Sequence, residues 1–93
     1  MATGPAASEE WAAFARELGH NLRRARAAKD LTQEALVELT GISLYAYQQY
    51  ERGSVTQGGD PTNPRLATML AISQALEVEL QELLPPIPTL TVH

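Results

Sequence analysis

The side chains best suited to chemistry in this sequence lie in one short stretch, residues 43–53. Placed on a helix at 100° per residue, Leu44, Tyr45, Gln48, Gln49 and Arg52 fall in a sector about 140° wide, with Ala46, Tyr47 and Tyr50 opposite. Such a helix has an apolar and aromatic back and a front made largely of amides. Neutral amides are a poor choice for a merely soluble surface, where lysine and glutamate are commoner. They suit base edges. A glutamine offers a donor and an acceptor that match N6 and N7 of adenine in the major groove, and a tyrosine or leucine can meet a thymine methyl. A solvated polar face with no partner is the plain alternative.

Other chemistries are short of parts. The 93 residues include no cysteine, which excludes disulfides and thiolate metal sites. There are two histidines, one of them the last residue, so metal sites and histidine-based triads lack members. His20 has Glu17 one turn before it but no nucleophile at a suitable spacing, and the glycines at 58–59 read as a loop tip. The expectation is no enzyme, no metal and no cofactor. No apolar run is long enough to span a membrane, and residues 1–8 show no secretory signal. The net charge of −4 argues weakly against a nucleic-acid partner. Its distribution tempers that: all 7 basic residues lie between positions 16 and 65, and the excess acid (Glu9, Glu10, Glu77, Glu79, Glu82) lies toward the ends.

The elements that must position this stretch are helical. Residues 1–7 read as a flexible arm. Ser8 can cap a helix whose apolar positions run Trp11, Phe14, Ala15, Leu18, Leu22, Ala25. Gly19 interrupts it at about 1 kcal/mol relative to alanine and leaves room for a kink or a split. Thr32 caps a second helix with Ala35, Leu36 and Leu39 inward, ended by Gly41. Ser43 caps the third, with Ile42 and Tyr47 spaced for a hydrophobic staple, and Gly53 ends it. Residues 54–63 are a loop by composition. Asn63-Pro64 reads as cap and first turn of a fourth helix with Leu66, Met69, Leu70 and Leu76 buried. A short fifth segment carries Val78, Leu80, Leu83 and Leu84. Residues 85–93 form an extended tail whose alternation could add an edge strand. The expected fold is all-α, one domain over 8–84 with five helices.

Two helices joined by a tight turn over residues 31–53 outline a helix-turn-helix. Leu31-Thr32-Gln33-Glu34, Leu36, Thr40-Gly41-Ile42-Ser43 and Glu51-Arg52-Gly53, followed by Asn63-Pro64, Leu66, Leu70, Ala75-Leu76, Val78 and Leu83-Leu84, resemble the Cro/cI-like, or XRE-type, helix-turn-helix family across residues 16–84. The resemblance implies a compact lambda-repressor-like domain. It implies base contacts from Leu44, Tyr45, Gln48 and Gln49, and phosphate contacts from Thr32, Gln33, Ser43, Asn63 and Arg52, with Gln33 also buttressing the third helix. Arg26 and Glu51 match a fold-supporting ion pair, and Arg23, Arg24 and Lys29 are more available to phosphates. Leu44 and Tyr45 depart from the polar pair usual at the leading contact positions. The loop after Gly53 is longer than usual and carries Asp60 but no basic residue. Glu77 stands where glycine is frequent.

The function implied is sequence-specific binding to double-stranded DNA by a transcriptional regulator, a repressor in the absence of an effector segment. It would be cytoplasmic, and nucleoid-associated when bound. A homodimer would put two recognition helices in successive major grooves of a pseudo-palindromic operator. Leu80, Leu83, Leu84 and the tail either form the dimer surface or close the monomer's own core. The alternative function is a protein-interaction module, such as the acidic antitoxin of a toxin–antitoxin pair.

Overall fold

Residues 4–91 are described by the computed structural model. One turn of 3-10 helix (Pro5–Ala7) precedes five α-helices: α1 Glu9–Ala28, α2 Gln33–Thr40, α3 Leu44–Arg52, α4 Leu66–Leu76 and α5 Leu80–Leu83. Met1–Thr3 of the expected arm and Val92–His93 of the tail lie outside the described residues.

Ser8 starts α1 by accepting from the Trp11 amide at 3.1 Å while its hydroxyl donates to the Pro5 carbonyl at 2.8 Å. Glu9 and Glu10 follow in the first turn, where the amide end of the helix favours carboxylates. Ala15, Leu18, Gly19 and Leu22 form the buried stripe at helical spacing. The helix runs unbroken through Gly19, so it is not split there. The glycine serves packing instead: a Cβ there would lie 2.4 Å from the Glu51 carbonyl oxygen, so α1 and α3 cross nearly backbone to backbone.

Thr32 and Ser43 cap α2 and α3 by accepting from the amides of Ala35 (3.0 Å) and Ala46 (3.1 Å). Gly41 and Gly53 end the two helices in the left-handed region, at φ 75° and 84°. Leu18, Leu22, Leu36, Tyr47, Met69, Ile72, Leu76 and Leu83 make the core, with Ile42 packed against it.

The fourth helix departs from expectation. Asn63 does not cap it and Pro64 is not its first residue; Arg65 is the N-cap, with no side-chain hydrogen bond. The cause lies just upstream. The Thr62 amide donates to the Gly53 carbonyl at 3.1 Å, and its carbonyl accepts from the Trp11 indole at 3.1 Å. Thus pinned, the chain stays extended until Arg65, and a residue before proline is itself disfavoured from helix. The buried face is Met69, Ile72, Ser73 and Leu76. Leu66 and Leu70 flank that face and are exposed, Leu66 at 67%. On α2 likewise, Leu39 is exposed rather than inward.

Leu83 is buried, and Leu80 and Leu84 pack partly buried against the core, so the α5 leucines close this chain's own interior. Asn21 holds the end of α5 by donating to the Leu83 carbonyl at 2.8 Å. Glu77 occupies the left-handed turn between α4 and α5 at φ 58°, and its carboxylate meets the Lys29 ammonium. The described tail forms no strand. An all-helical body offers no sheet edge, and three prolines (Pro85, Pro86, Pro88) remove donors. Those prolines instead line a hollow together with Phe14 of α1, and the Thr91 amide donates to the Glu10 carboxylate at 2.9 Å.

Candidate nucleic-acid interface

The front of α3 is arranged as its spacing requires. Tyr45 is 68% exposed, Gln48 and Arg52 are exposed, and Leu44 and Gln49 are half-buried. Tyr47 is fully buried behind them and Tyr50 half-buried. The hydroxyls of Thr32 and Ser43 are turned onto their own helix amides at the starts of α2 and α3. Asn63 is exposed but stands three residues before α4, beside Trp11 and Leu90, and so does not supply the helix-start position the resemblance gave it.

A single carboxylate organises the region from behind. Glu51 is 3% exposed. The Arg26 guanidinium grips it in a two-pronged contact, Nε to Oε2 at 2.6 Å and Nη2 to Oε1 at 3.0 Å. The Tyr47 hydroxyl donates to Oε2 at 2.5 Å, and the Gln33 amide donates to Oε1 at 3.1 Å. Arg26 also donates to the Leu31 carbonyl at 2.9 Å, so one side chain joins α1, the turn before α2, and α3. Arg23, largely exposed, brings its Nε to 3.7 Å from Oε1.

Burial alone would push the Glu51 carboxyl up. The hydrogen bonds from Arg26, Tyr47 and Gln33 outweigh it and hold the group below its ordinary value. Hydrogen bonding to Glu51 likewise raises Arg26 against the opposing effect of burial. The Tyr47 phenol is pushed far up, first by burial and then by the carboxylate that accepts its proton.

This hub sets the polarity of the exposed face. A carboxylate can only accept, so Gln33 must turn its NH2 inward and its carbonyl outward. That carbonyl accepts from the Gln48 amide nitrogen at 3.3 Å. Gln48 therefore keeps its own carbonyl free on the front of α3. Gln49 donates to the Val55 carbonyl at 3.0 Å, and Arg52 donates to the carbonyls of Ser54 (3.1 Å) and Val55 (2.6 Å). The loop is folded back on itself as well, with the Val55 amide on the Asp60 carbonyl at 2.8 Å.

Sequence reasoning missed two of these features. The Tyr47–Glu51 bond joins residues four apart on one helix, a spacing that would have paired them. The attachment of Gln49 and Arg52 to the loop left no sequence signal. Among the described residues no group of acidic or histidine side chains could hold a metal ion, and no helix is long and apolar enough to cross a membrane.

A capped pair of helices joined by a glycine turn, the second presenting a polar front over a buried aromatic back, defines a helix-turn-helix protein. A family model described as a helix-turn-helix domain matches residues 17–83, and the chain belongs to that family, in its Cro/cI-like, XRE-type form. Among solved structures it is similar to the restriction-modification controller protein C.AhdI from Aeromonas hydrophila: 34% identity, TM-score 0.67, covering 76% of this chain and 97% of that one. It is also similar to an HTH_3 family transcriptional regulator from Vibrio cholerae (26% identity, TM-score 0.66, 77% of this chain and 36% of that one). A hypothetical transcription factor, NHTF, from Neisseria aligns at 28% identity and TM-score 0.66 over 85% of this chain and 81% of that one. No curated protein sequence matches the chain.

Proposed function

We propose that the chain is a sequence-specific double-stranded DNA-binding regulator of transcription, acting as a repressor. In this reading α3 enters the major groove, with Leu44, Tyr45, Gln48 and Gln49 against base edges. Thr32, Gln33, Ser43, Arg52, Asn63 and Arg23 meet phosphates, and Arg26–Glu51 is the pair that keeps the helices in register. The observation that carries the reading is the front of α3: exposed Tyr45 and Gln48, with the amide of Gln48 oriented through Gln33 by a buried carboxylate. A polarised amide is a base-reading device. The likeness to a restriction-modification controller over 97% of that chain supports a regulatory role.

The regulator works as a homodimer on a pseudo-palindrome, in the cytoplasm and on the nucleoid. The exposed Leu66 and Leu70 of α4 supply apolar surface that the α5 leucines, turned into the core, do not. A second reading, a protein-interaction module such as an antitoxin, draws on the net charge of −4 and on a loop without basic residues.

Selection of genomic fragments by the purified protein, followed by gel shifts of the enriched sequences across salt concentrations, tests the choice. Enrichment of one pseudo-palindromic sequence is expected. No enrichment, together with stoichiometric co-purification of a second protein, would favour the interaction module.

A further inference from the structure

We propose that the cleft between α1 and the 54–61 loop holds a phosphate of the DNA backbone, with Arg16 and Arg52 as its cationic groups; this rests on the DNA-binding reading above. The cleft has a volume of about 350 Å³, and Arg16, Arg52, Ser54, Gln57, Gly58 and Gly59 are among its lining residues, none of which is acidic. Asp60, the acid of the loop, lines an adjoining hollow against Ala6–Glu9 that shares Ala12 and Pro61 with the cleft.

The two arginines are neighbours for a backbone reason. A Cβ on Gly53 would lie 2.8 Å from the Arg16 Cα, so only glycine lets the end of α3 seat against α1 at that point. The Arg16 side chain therefore emerges beside Arg52. Residues three and four away from Arg16 on α1 are Ala12, Ala13, Gly19 and His20, so no carboxylate reaches it along its own helix. Among the described residues it has no ion pair.

Arg52 is different. Its Nε and Nη2 are fixed on the Ser54 and Val55 carbonyls, which holds the guanidinium in place and leaves further N–H groups uncommitted. Two like charges on one concave wall repel, and an oxyanion between them relieves the repulsion and takes the planar forks of both. On the facing wall Gly58 and Gly59 add no side chains, and Ser54 and Gln57 add only uncharged polar ones. The cleft continues the front of α3 one turn beyond Gln48. A strand flanking a groove read by Gln48 would pass there, so its source of phosphate is the DNA backbone rather than a free ion.

The test is fluorescence anisotropy with a random-sequence duplex over a range of salt concentrations, comparing the wild type with Arg16→Gln. Gln81→Glu, at an exposed position of α5, is the control, because it lowers the net charge by the same amount away from the residues lining the cleft. Loss of one phosphate contact is expected to make the slope of log affinity against log salt shallower by about 0.9, or about eightfold weaker binding near 0.1 M salt. Gln81→Glu should leave the slope unchanged, and both variants should melt as the wild type does. An unchanged slope for Arg16→Gln, or one matched by the control, overturns the cleft and leaves the DNA reading standing. A wild type that binds no duplex overturns both. Pyrophosphate binding that depends on Arg16, with duplex affinity unaltered, would mark a small-anion site and refute the DNA source.

Discussion

Replacing Arg26 with methionine should destabilise the domain severely and make it gain stability on going from neutral to mildly acidic pH, which the wild type does not. The guanidinium makes two bonds to a carboxylate that is 3% exposed and a third to the Leu31 carbonyl. Removing one side of a buried pair costs about 3–5 kcal/mol, because the other charge is left without its partner. The orphaned carbonyl adds about 1 kcal/mol. At about 4–8 °C per kcal/mol for a domain of this size, Tm should fall by at least about 12 °C at pH 7. The sign with pH follows from Glu51. In the wild type its folded value lies below the ordinary 4.5, so its contribution is present above pH 4.5 and is lost as pH falls through the folded value. Without Arg26, burial, the largest single influence on the carboxyl, is opposed only by the bonds from Tyr47 and Gln33 and is expected to carry it above its unfolded value, so that stability falls as pH rises through that raised value. Thermal melts followed by circular dichroism at pH 7 and pH 5 decide it. Arg26→Met should gain stability on going to pH 5 while the wild type does not. A loss under about 1 kcal/mol, or parallel pH profiles, would mean that Glu51 is hydrated and the hub is not a buried ion pair.

Three further outcomes are expected. Gly19→Ala should lower Tm despite the roughly 1 kcal/mol gain in helix propensity, since its methyl would lie 2.4 Å from the Glu51 carbonyl oxygen; a higher Tm would refute the close helix crossing. Tyr47→Phe should cost about 1.5–3 kcal/mol in chemical denaturation, the worth of a bond to a charged acceptor, and should abolish a phenolate signal that appears in the wild type only as it unfolds in base. Stability conferred by that phenol is complete below pH 10 and lost above it, because its folded value is raised. Gln49→Ala should weaken specific binding by about 1–3 kcal/mol and flatten preference at one base pair, with random duplex unaffected; equal losses on both would remove Gln49 from the base-reading set.

Where the chain itself encodes an element, the sequence was readable. Ser8, Thr32 and Ser43 cap their helices, and Gly41 and Gly53 end theirs, because capping depends on residues a turn apart. The aromatic back and amide front of α3 followed from its period alone. The failures share a cause. Asn63-Pro64 has the local chemistry of a helix start, but hydrogen bonds from Trp11 and to Gly53, distant in sequence, hold the chain extended there. Gly19 looked like a weakness of α1 because the residue it admits, Glu51, is far along the chain. Leu66 and Leu70 carry the apolar signal of a core without being in it, since periodicity reports which face is apolar and not what covers it. The cleft beside Arg16 depends on how a loop folds back, and no spacing announces that.

The acidic net charge is less of an objection to a DNA partner than its value suggests. A carboxylate matched at contact distance by a cation leaves little net field to repel a phosphate beyond the pair. α3 contains one acid, Glu51, and that charge is buried and matched by Arg26, with Arg23 a further 3.7 Å contact. The front of the helix therefore presents amides, a phenol and the Arg52 guanidinium, and no acid. Glu9 and Glu10 stand at the start of α1 and Glu77 pairs with Lys29, all off the front of α3. Thus the local charge on the front of α3 has the opposite sign to that of the whole chain. The carboxylate that contributes to the unfavourable total also orients Gln33 and, through it, Gln48.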